Sequence, residues 1–290
     1  MKRLSSCVKR LKKVIRFSIR QSAISEKTRT TRKSSGEALA PYKGKVQIAT
    51  KFGIKHEGRS LLCDSRPEII KKSVEGSLQR LGVECIDLYY QHRIDRQVPA
   101  EEVADVMAQL IKEGKIAHWG ISEANEEYLR KAHAVCPVTA IQNRYSMMYR
   151  DYEKLFPVLE ELNIGFMAFS PLANGVLSTR YNALTTFESD KDYRREMPQF
   201  QKKAYEQNTE LIQLLKNMAA KRNTTTAQIA LAWLLGKKSY IVPIPGTTKI
   251  ERMKENAKAA EILLTENEIS EIDAALNNMQ MSAVFGGHKS

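Results

Sequence analysis

The chain lacks the signatures of several protein classes. Its four cysteines, Cys7, Cys63, Cys85 and Cys136, are scattered through 290 residues with no Cys-x-x-Cys pair. That spacing excludes a disulfide framework and a cysteine-based zinc site, and it fits a reducing, cytoplasmic setting. No apolar run approaches the roughly 18–20 residues that a membrane span needs. No Gly-x-Gly-x-x-Gly follows any strand-like segment, so the fingerprint of the open dinucleotide-binding sheet is missing. Acids are nearly absent from the start of the chain. Residues 1–33 hold 12 Lys/Arg and one acid, Glu26, whereas the remainder holds 34 basic and 32 acidic residues. Of the net charge of +13, +11 therefore belongs to the leading segment and +2 to the rest, and the body gives no reason to expect a nucleic-acid partner. Residues 1–35 also contain no Tyr and no Asp.

What the chain does contain is alternation. Short apolar strand candidates fall near 46–52, 86–91, 117–122, 140–146, 164–170 and 239–245. Helical patterns lie between and after them. Ile69, Ile70, Val74, Leu78 and Leu81 repeat at helical spacing after Pro67, and Val103, Val106, Met107, Leu110 and Ile111 do so after Pro99. Both prolines suit a first helical turn, and Gly82 and Gly114 suit the stops. Further helices are expected at 126–134, 151–162, 204–221, 225–236, 249–258 and 266–277. The segment 179–203 has weak periodicity and reads as a long surface loop. Alternation of this kind implies parallel βαβ units, either in an open doubly wound sheet or in a (β/α)8 barrel.

The strand ends favour the barrel. In order they offer Lys51, His92, Ser122-Glu123, Gln142-Asn143, Ser170 and Gly246-Thr247-Thr248. A barrel builds its site from polar groups at the C-terminal ends of several strands. A Lys and a His delivered in this way suggest a carbonyl-reducing site. Alone, each residue would read as a solvated rim Lys or a hydrogen-bonded core His. His56, His118, His133 and His288 have no such context and read as structural or exposed.

Residues 36–290 resemble the aldo-keto reductases, on the side of the family that includes potassium-channel β subunits and auxin-induced-type reductases. The resemblance rests on ordered runs. They begin with Gly36-Glu37-Ala38-Leu39, Ile48-Ala49-Thr50-Lys51-Phe52-Gly53 and Asp87-Leu88-Tyr89-Tyr90-Gln91-His92-Arg93. Next come Gly114-Lys115-Ile116, Gly120-Ile121-Ser122-Glu123-Ala124 and Gln142-Asn143 with Tyr145-Ser146. Ser170-Pro171-Leu172-Ala173-Asn174-Gly175 and Pro243-Ile244-Pro245-Gly246-Thr247-Thr248 complete them, with Arg252 and Glu255-Asn256.

The resemblance implies reduction of small aldehydes or ketones by hydride transfer from NADP(H). It gives Lys51 and His92 the catalytic Lys and His positions. It gives Ser122 and Gln142 the nicotinamide carboxamide, and Phe169 the stacked ring. Ser170, Leu172, Gly175 and Arg180 would surround the pyrophosphate. Gly246 and Thr248 would lie before a helix start that favours phosphate. Arg252 would take the 2′-phosphate, with Glu255 and Asn256 at the adenine. No metal is implied. At residue 144, where the family commonly has an acid, this chain has Arg144.

The family's catalytic Tyr and Asp belong upstream of Lys51, in two βα units of roughly 30 residues each. The match begins at Gly36, and residues 1–35 supply neither residue. Tyr42 precedes the strand and should lie at its opposite end, roughly 20 Å from the site. The expectation is therefore a (β/α)8 barrel without its first two units, preceded by a basic, disordered, non-homologous segment, 1–35. That segment has a Leu4-Val8-Leu11-Ile15 stripe. It reads as a transit or membrane-surface helix, as a basic arm, or, the favoured reading, as unrelated sequence from a frameshift or misplaced start. Impaired turnover, marginal stability and oligomerisation or aggregation through bare strand edges would follow. The alternatives are a catalytically silent NADPH-binding regulatory subunit and a non-functional truncated product.

Overall fold

Helix α1 (Pro67–Leu81) shows how the chain builds its repeating units. Ile70, Val74, Ser77 and Leu81 form its buried face, and Gly82 ends it at φ 65°, its N–H returning to the Leu78 carbonyl. Glycine adopts that left-handed cap without the steric cost other residues meet. The computed structural model describes residues 36–42, 44–57, 60–187 and 192–285. They fall into two compact units, one of residues up to Asn143 with Lys154–Met167, the other of Arg144–Glu153 with residues from Ala168 onward.

In the first unit, strand β1 (Ala49–Phe52) leads into an antiparallel hairpin, β2 (Ile54–Glu57) and β3 (Ser60–Cys63). Strands β4 (Leu88–Gln91), β5 (Trp119–Ser122), β6 (Ala140–Arg144) and β7 (Gly165–Phe169) follow, and the sheet order is β1-β4-β5-β6-β7. The pairs β1–β4, β4–β5 and β5–β6 are parallel. Crossovers between them carry α2 (Ala100–Lys112), α3 (Glu126–Val135) and α4 (Phe156–Glu161). Strands joined by helical crossovers give an α/β fold. The hairpin was not expected from sequence. Its strands are four residues each and include Lys55, His56 and Glu57, so neither length nor composition signals them.

The register sorts side chains onto two faces. Lys51 pairs with Tyr90, Tyr90 with Gly120, and Gly120 with Ala140, so these four share one face. Phe52, Tyr89, Trp119 and Ile121 take the other, where the Phe52 and Tyr89 rings lie 4.9 Å apart and the Trp119 indole N–H donates to the Cys136 carbonyl at 3.2 Å. Tyr89, Trp119 and Ile121 are fully buried, each worth about 1.5–3 kcal/mol or more of apolar transfer.

In the second unit, β8 (Ile241–Pro243) is followed by Ile244, whose N–H donates to the carbonyl of Ala168 in the same unit at 2.9 Å. Helices α5 (Lys202–Gln207), α6 (Thr209–Lys221), α7 (Thr226–Lys237), α8 (Ile250–Lys258) and α9 (Glu266–Asn278) complete it. The single helix expected over 204–221 is divided at Asn208. Its amide donates to the Ser282 hydroxyl at 3.0 Å and accepts from the Ser282 N–H at 2.9 Å, so it anchors the C-terminal stretch. Capping boxes at Thr225–Gln228 and Thr265–Glu268 start α7 and α9.

The described part of the segment 179–203 runs largely exposed, as expected of a surface loop, but it is anchored by a small buried cluster. The Tyr181, Phe187 and Phe200 rings pack together with centroids 5.2–5.6 Å apart, and Met197 and Gln199 are fully buried. The described part of this segment is folded onto its own unit.

Candidate active site

Lys51 stands at the C-terminal half of β1 and is only 9% exposed. Its ammonium is lowered to about 7, first by burial and then by the positive charge of Arg93, with the Glu123 carboxylate opposing both. A buried cation loses hydration, so the neutral amine gains relative weight. His92 follows β4 directly, and its main-chain N–H donates to the Phe52 carbonyl at 3.0 Å, tying the two strand ends together.

Arg93 organises the next layer. Its guanidinium donates to the His92 carbonyl at 2.7 Å and to the Ser122 hydroxyl at 3.3 Å. Ser122 in turn donates to the Gln142 carbonyl at 2.9 Å. Ser122 and Gln142 are register partners on β5 and β6, one strand step beyond the Lys51–Tyr90 row and on the same face. The first unit therefore gathers Lys51, His92, Ser122 and Gln142 at the C-terminal ends of four adjacent strands.

The other face holds this arrangement from behind. The Gln91 amide donates to the Ser65 hydroxyl at 3.1 Å, and the Asp95 carboxylate accepts from the Ser65 N–H at 2.9 Å. The Asn143 side chain makes two 3.0 Å bonds to the Ala124 main chain.

The sequence does not single out Arg93 and Glu123, although both lie within the runs that carry the family resemblance. Neither alternation nor motif position reveals which charges reach a buried amine. Glu123 has a left-handed backbone, φ 58°, which no local pattern signals. Tyr42 is half exposed in the turn Ala40–Tyr42 before β1, as expected. His118 is exposed. His133 is structural, its Nδ1 accepting from the Val138 N–H at 3.1 Å. The expectations for residues 1–35 and His288 lie outside the described residues.

The second unit carries the other predicted positions. Phe169 ends β7 and is partly exposed. Beyond it the backbone turns left-handed at Ser170, Ala173, Asn174 and Gly175, with φ of 52°, 47°, 60° and 112°. The turn is closed by its own main chain, the Ala173 N–H donating to the Ser170 carbonyl at 2.9 Å and the Gly175 N–H to the Leu172 carbonyl at 2.8 Å. Glycine at 175 is required twice over. Its φ disfavours other residues, and a Cβ there would meet the Tyr181 ring at 2.9 Å. Asn174 accepts from the Gln199 amide at 3.1 Å, which fixes the turn from the side of residues 198–200.

Arg180 and Glu255 are brought together as an ion pair, joining the chain beyond this turn to α8. The Glu255 carbonyl also accepts from the Gln228 amide at 3.0 Å. Arg252 and Asn256 are partly exposed on α8, while Gly246 and Thr248 are exposed ahead of it. Arg144, at the end of β6, is 9% exposed. Its guanidinium lies 5.2 Å from the Phe169 ring centroid and 5.6 Å from that of Tyr149, and it donates to the Phe285 carbonyl.

The aldo/keto reductase family model matches residues 27–277. An aldo-keto reductase from Strobilurus tenacellus is 39% identical over 231 residues, covering 78% of this chain and 67% of that protein. Among solved structures, the glycerol dehydrogenase from Gluconobacter oxydans is similar with a TM-score of 0.80 and 28% identity, covering 91% of this chain and 82% of that one. A thermostable aldo-keto reductase solved with the inhibitor epalrestat is similar with a TM-score of 0.68 and 25% identity, covering 94% of this chain and 88% of that one.

Proposed function

Because the chain belongs to the aldo/keto reductase family, whose (β/α)8-barrel relatives it resembles in fold, we propose that it binds NADP(H) and reduces small aldehydes or ketones. The observation that carries this reading is the buried Lys51, its ammonium lowered to about 7 beside the strand end that delivers His92. An ordinary surface Lys stays fully protonated at neutral pH, whereas Lys51 can hold or release a proton there.

The second unit fits a phosphate-bearing dinucleotide. Gly175 leaves the main chain of the turn at 173–175 without a side chain where the resemblance places the pyrophosphate, and Arg252 adds positive charge on α8. Phe169 offers a ring for stacking. Ser122 spends its proton on the Gln142 carbonyl, so its oxygen accepts, which suits a carboxamide N–H. Arg252 supports NADP over NAD, because a guanidinium pairs well with a 2′-phosphate.

The bound cofactor would supply the hydride that adds to the carbonyl carbon. The chain's own residues would hold the carbonyl oxygen and deliver its proton. His92 would orient the oxygen, and Lys51, whose ammonium can release a proton near neutral pH, would act as the acid. Residues 1–35 contain no Tyr and no Asp, so that segment does not supply the family's phenol. A second reading, a nucleotide-binding subunit without turnover, draws on the same absence.

Consumption of NADPH with 4-nitrobenzaldehyde tests the first reading. Slow turnover that falls at least tenfold in Lys51→Met and in His92→Ala supports reduction at these residues. Nucleotide binding with no turnover at any pH from 6 to 9 supports the silent subunit instead. Turnover untouched by either substitution would contradict the assignment.

A further inference from the structure

We propose that Arg144 makes this chain bind the reduced, uncharged nicotinamide of NADPH in preference to the oxidised pyridinium of NADP+. The inference rests on the nucleotide-binding reading above. It starts from one relation within the second unit, the Arg144 guanidinium 5.2 Å from the centroid of Phe169. Phe169 is the ring assigned to the nicotinamide.

The two redox states of nicotinamide differ in charge. The oxidised ring is a pyridinium cation and the reduced ring is neutral. A fixed positive charge near the stacking ring therefore repels one state and leaves the other nearly unaffected. At an effective dielectric near 20, two unit charges roughly 10 Å apart change a binding ratio by about ten- to twenty-fold. The guanidinium also draws on the same electron-rich ring that would otherwise stabilise a pyridinium stacked against it.

The position of this charge is well fixed. Arg144 is 9% exposed and lies over the Tyr149 ring as well as that of Phe169. Its guanidinium donates to the Phe285 carbonyl, the Phe285 N–H donates to Gln199 Oε1 at 2.8 Å, and the Gln199 amide donates to Asn174 at 3.1 Å. Through that chain of bonds the guanidinium is held in the same framework as the turn at 173–175. A guanidinium cannot discharge by deprotonation at any working pH, so the bias does not fade between pH 6 and 9. The acid that the family commonly carries at this position would act in the opposite sense.

The test is a pair of titrations, NADPH and NADP+ against the full chain, followed by intrinsic fluorescence. The measured quantity is the ratio of the two dissociation constants in the unaltered protein, Arg144→Gln and Arg144→Lys. Both variants lose the guanidinium shape, and only the Lys variant keeps the charge. The expected result is a ratio favouring NADPH that drops about tenfold in Arg144→Gln and stays within about threefold in Arg144→Lys. A ratio unchanged in Arg144→Gln, or shifted equally in both variants, overturns the proposal while leaving nucleotide binding intact. Failure of the unaltered chain to bind either nucleotide removes the binding reading and this inference together.

Discussion

The Arg180 guanidinium closes on the Glu255 carboxylate across 75 residues of sequence. The Arg180 side chain is 43% exposed and the Glu255 side chain 17%. The pair therefore joins a surface arm to a better-buried anchor, next to the turn assigned to the pyrophosphate. A partly exposed ion pair is worth about 1 kcal/mol at most, so it can open and re-form as a nucleotide enters and leaves.

Glu255→Ala should release that arm. The expected outcome is a rise of about three- to fivefold in the NADPH dissociation rate, the size a surface pair allows, with little change in thermal stability. Stopped-flow displacement measures it. An unchanged rate would mean that Arg180 does not restrain the nucleotide.

Lys51 should make stability depend on pH in a defined window. Its folded pKa, about 7, lies below the ordinary 10.5. Between these values the unfolded chain binds a proton that the folded chain does not, so unfolding becomes harder as pH rises. Below about 7 both states are charged and the full cost of burying the ammonium is present. Lys51→Met should therefore raise the melting temperature at pH 7 by a few degrees. It should also raise it less at pH 9.5. Melting curves at both pH values check this, and a variant that melts lower than the parent at pH 7 would show that the buried cation is well compensated.

Gly120→Ala should damage the first unit. An added Cβ would meet the Ala140 carbonyl at 2.3 Å and the Tyr90 ring at 2.5 Å. The backbone oxygen cannot swing aside, so overpacking of about 1–3 kcal/mol is expected. Urea denaturation reads the loss. A change within about 0.5 kcal/mol, the range of an innocuous surface substitution, would mean that β5 and β6 can separate freely at this point.

Asp273→Ala should damage the second unit. Asp273 accepts from the Trp233 indole at 2.9 Å and from the Lys237 ammonium at 2.6 Å, and Lys237 also reaches Glu153 at 3.2 Å. Tyr145 closes this cluster through a 2.6 Å bond to Glu153, and burial together with that carboxylate pushes its phenol far above the ordinary range. Removing Asp273 leaves a buried indole N–H unsatisfied, a cost of about 1–3 kcal/mol. A denaturation midpoint equal to the parent's would contradict it.

Much of the fold is legible in the sequence. Each of the six strand candidates contains an observed strand, and the α1 boundaries agree with the Pro67 and Gly82 signals. The strands lie inside mostly apolar runs, and α1 is strongly periodic between a proline start and a glycine stop. The β2–β3 hairpin was invisible because its four-residue strands carry no alternation. The break at Asn208 was invisible because its cause, Ser282, lies 74 residues away. At the site, motif position indicates which residues stand at strand ends, including Lys51, His92, Ser122 and Gln142. It does not indicate which charges act on them. Arg93, Glu123 and the pairing of Arg180 with Glu255 depend on three-dimensional proximity that no local pattern encodes.

The most direct measurement is a fluorescence titration of the full chain with NADPH, alongside Arg252→Ala. The account predicts saturable binding by a folded protein, weakened about tenfold or more when the 2′-phosphate loses its guanidinium partner. Absence of saturable binding by a chain that melts cooperatively would contradict it.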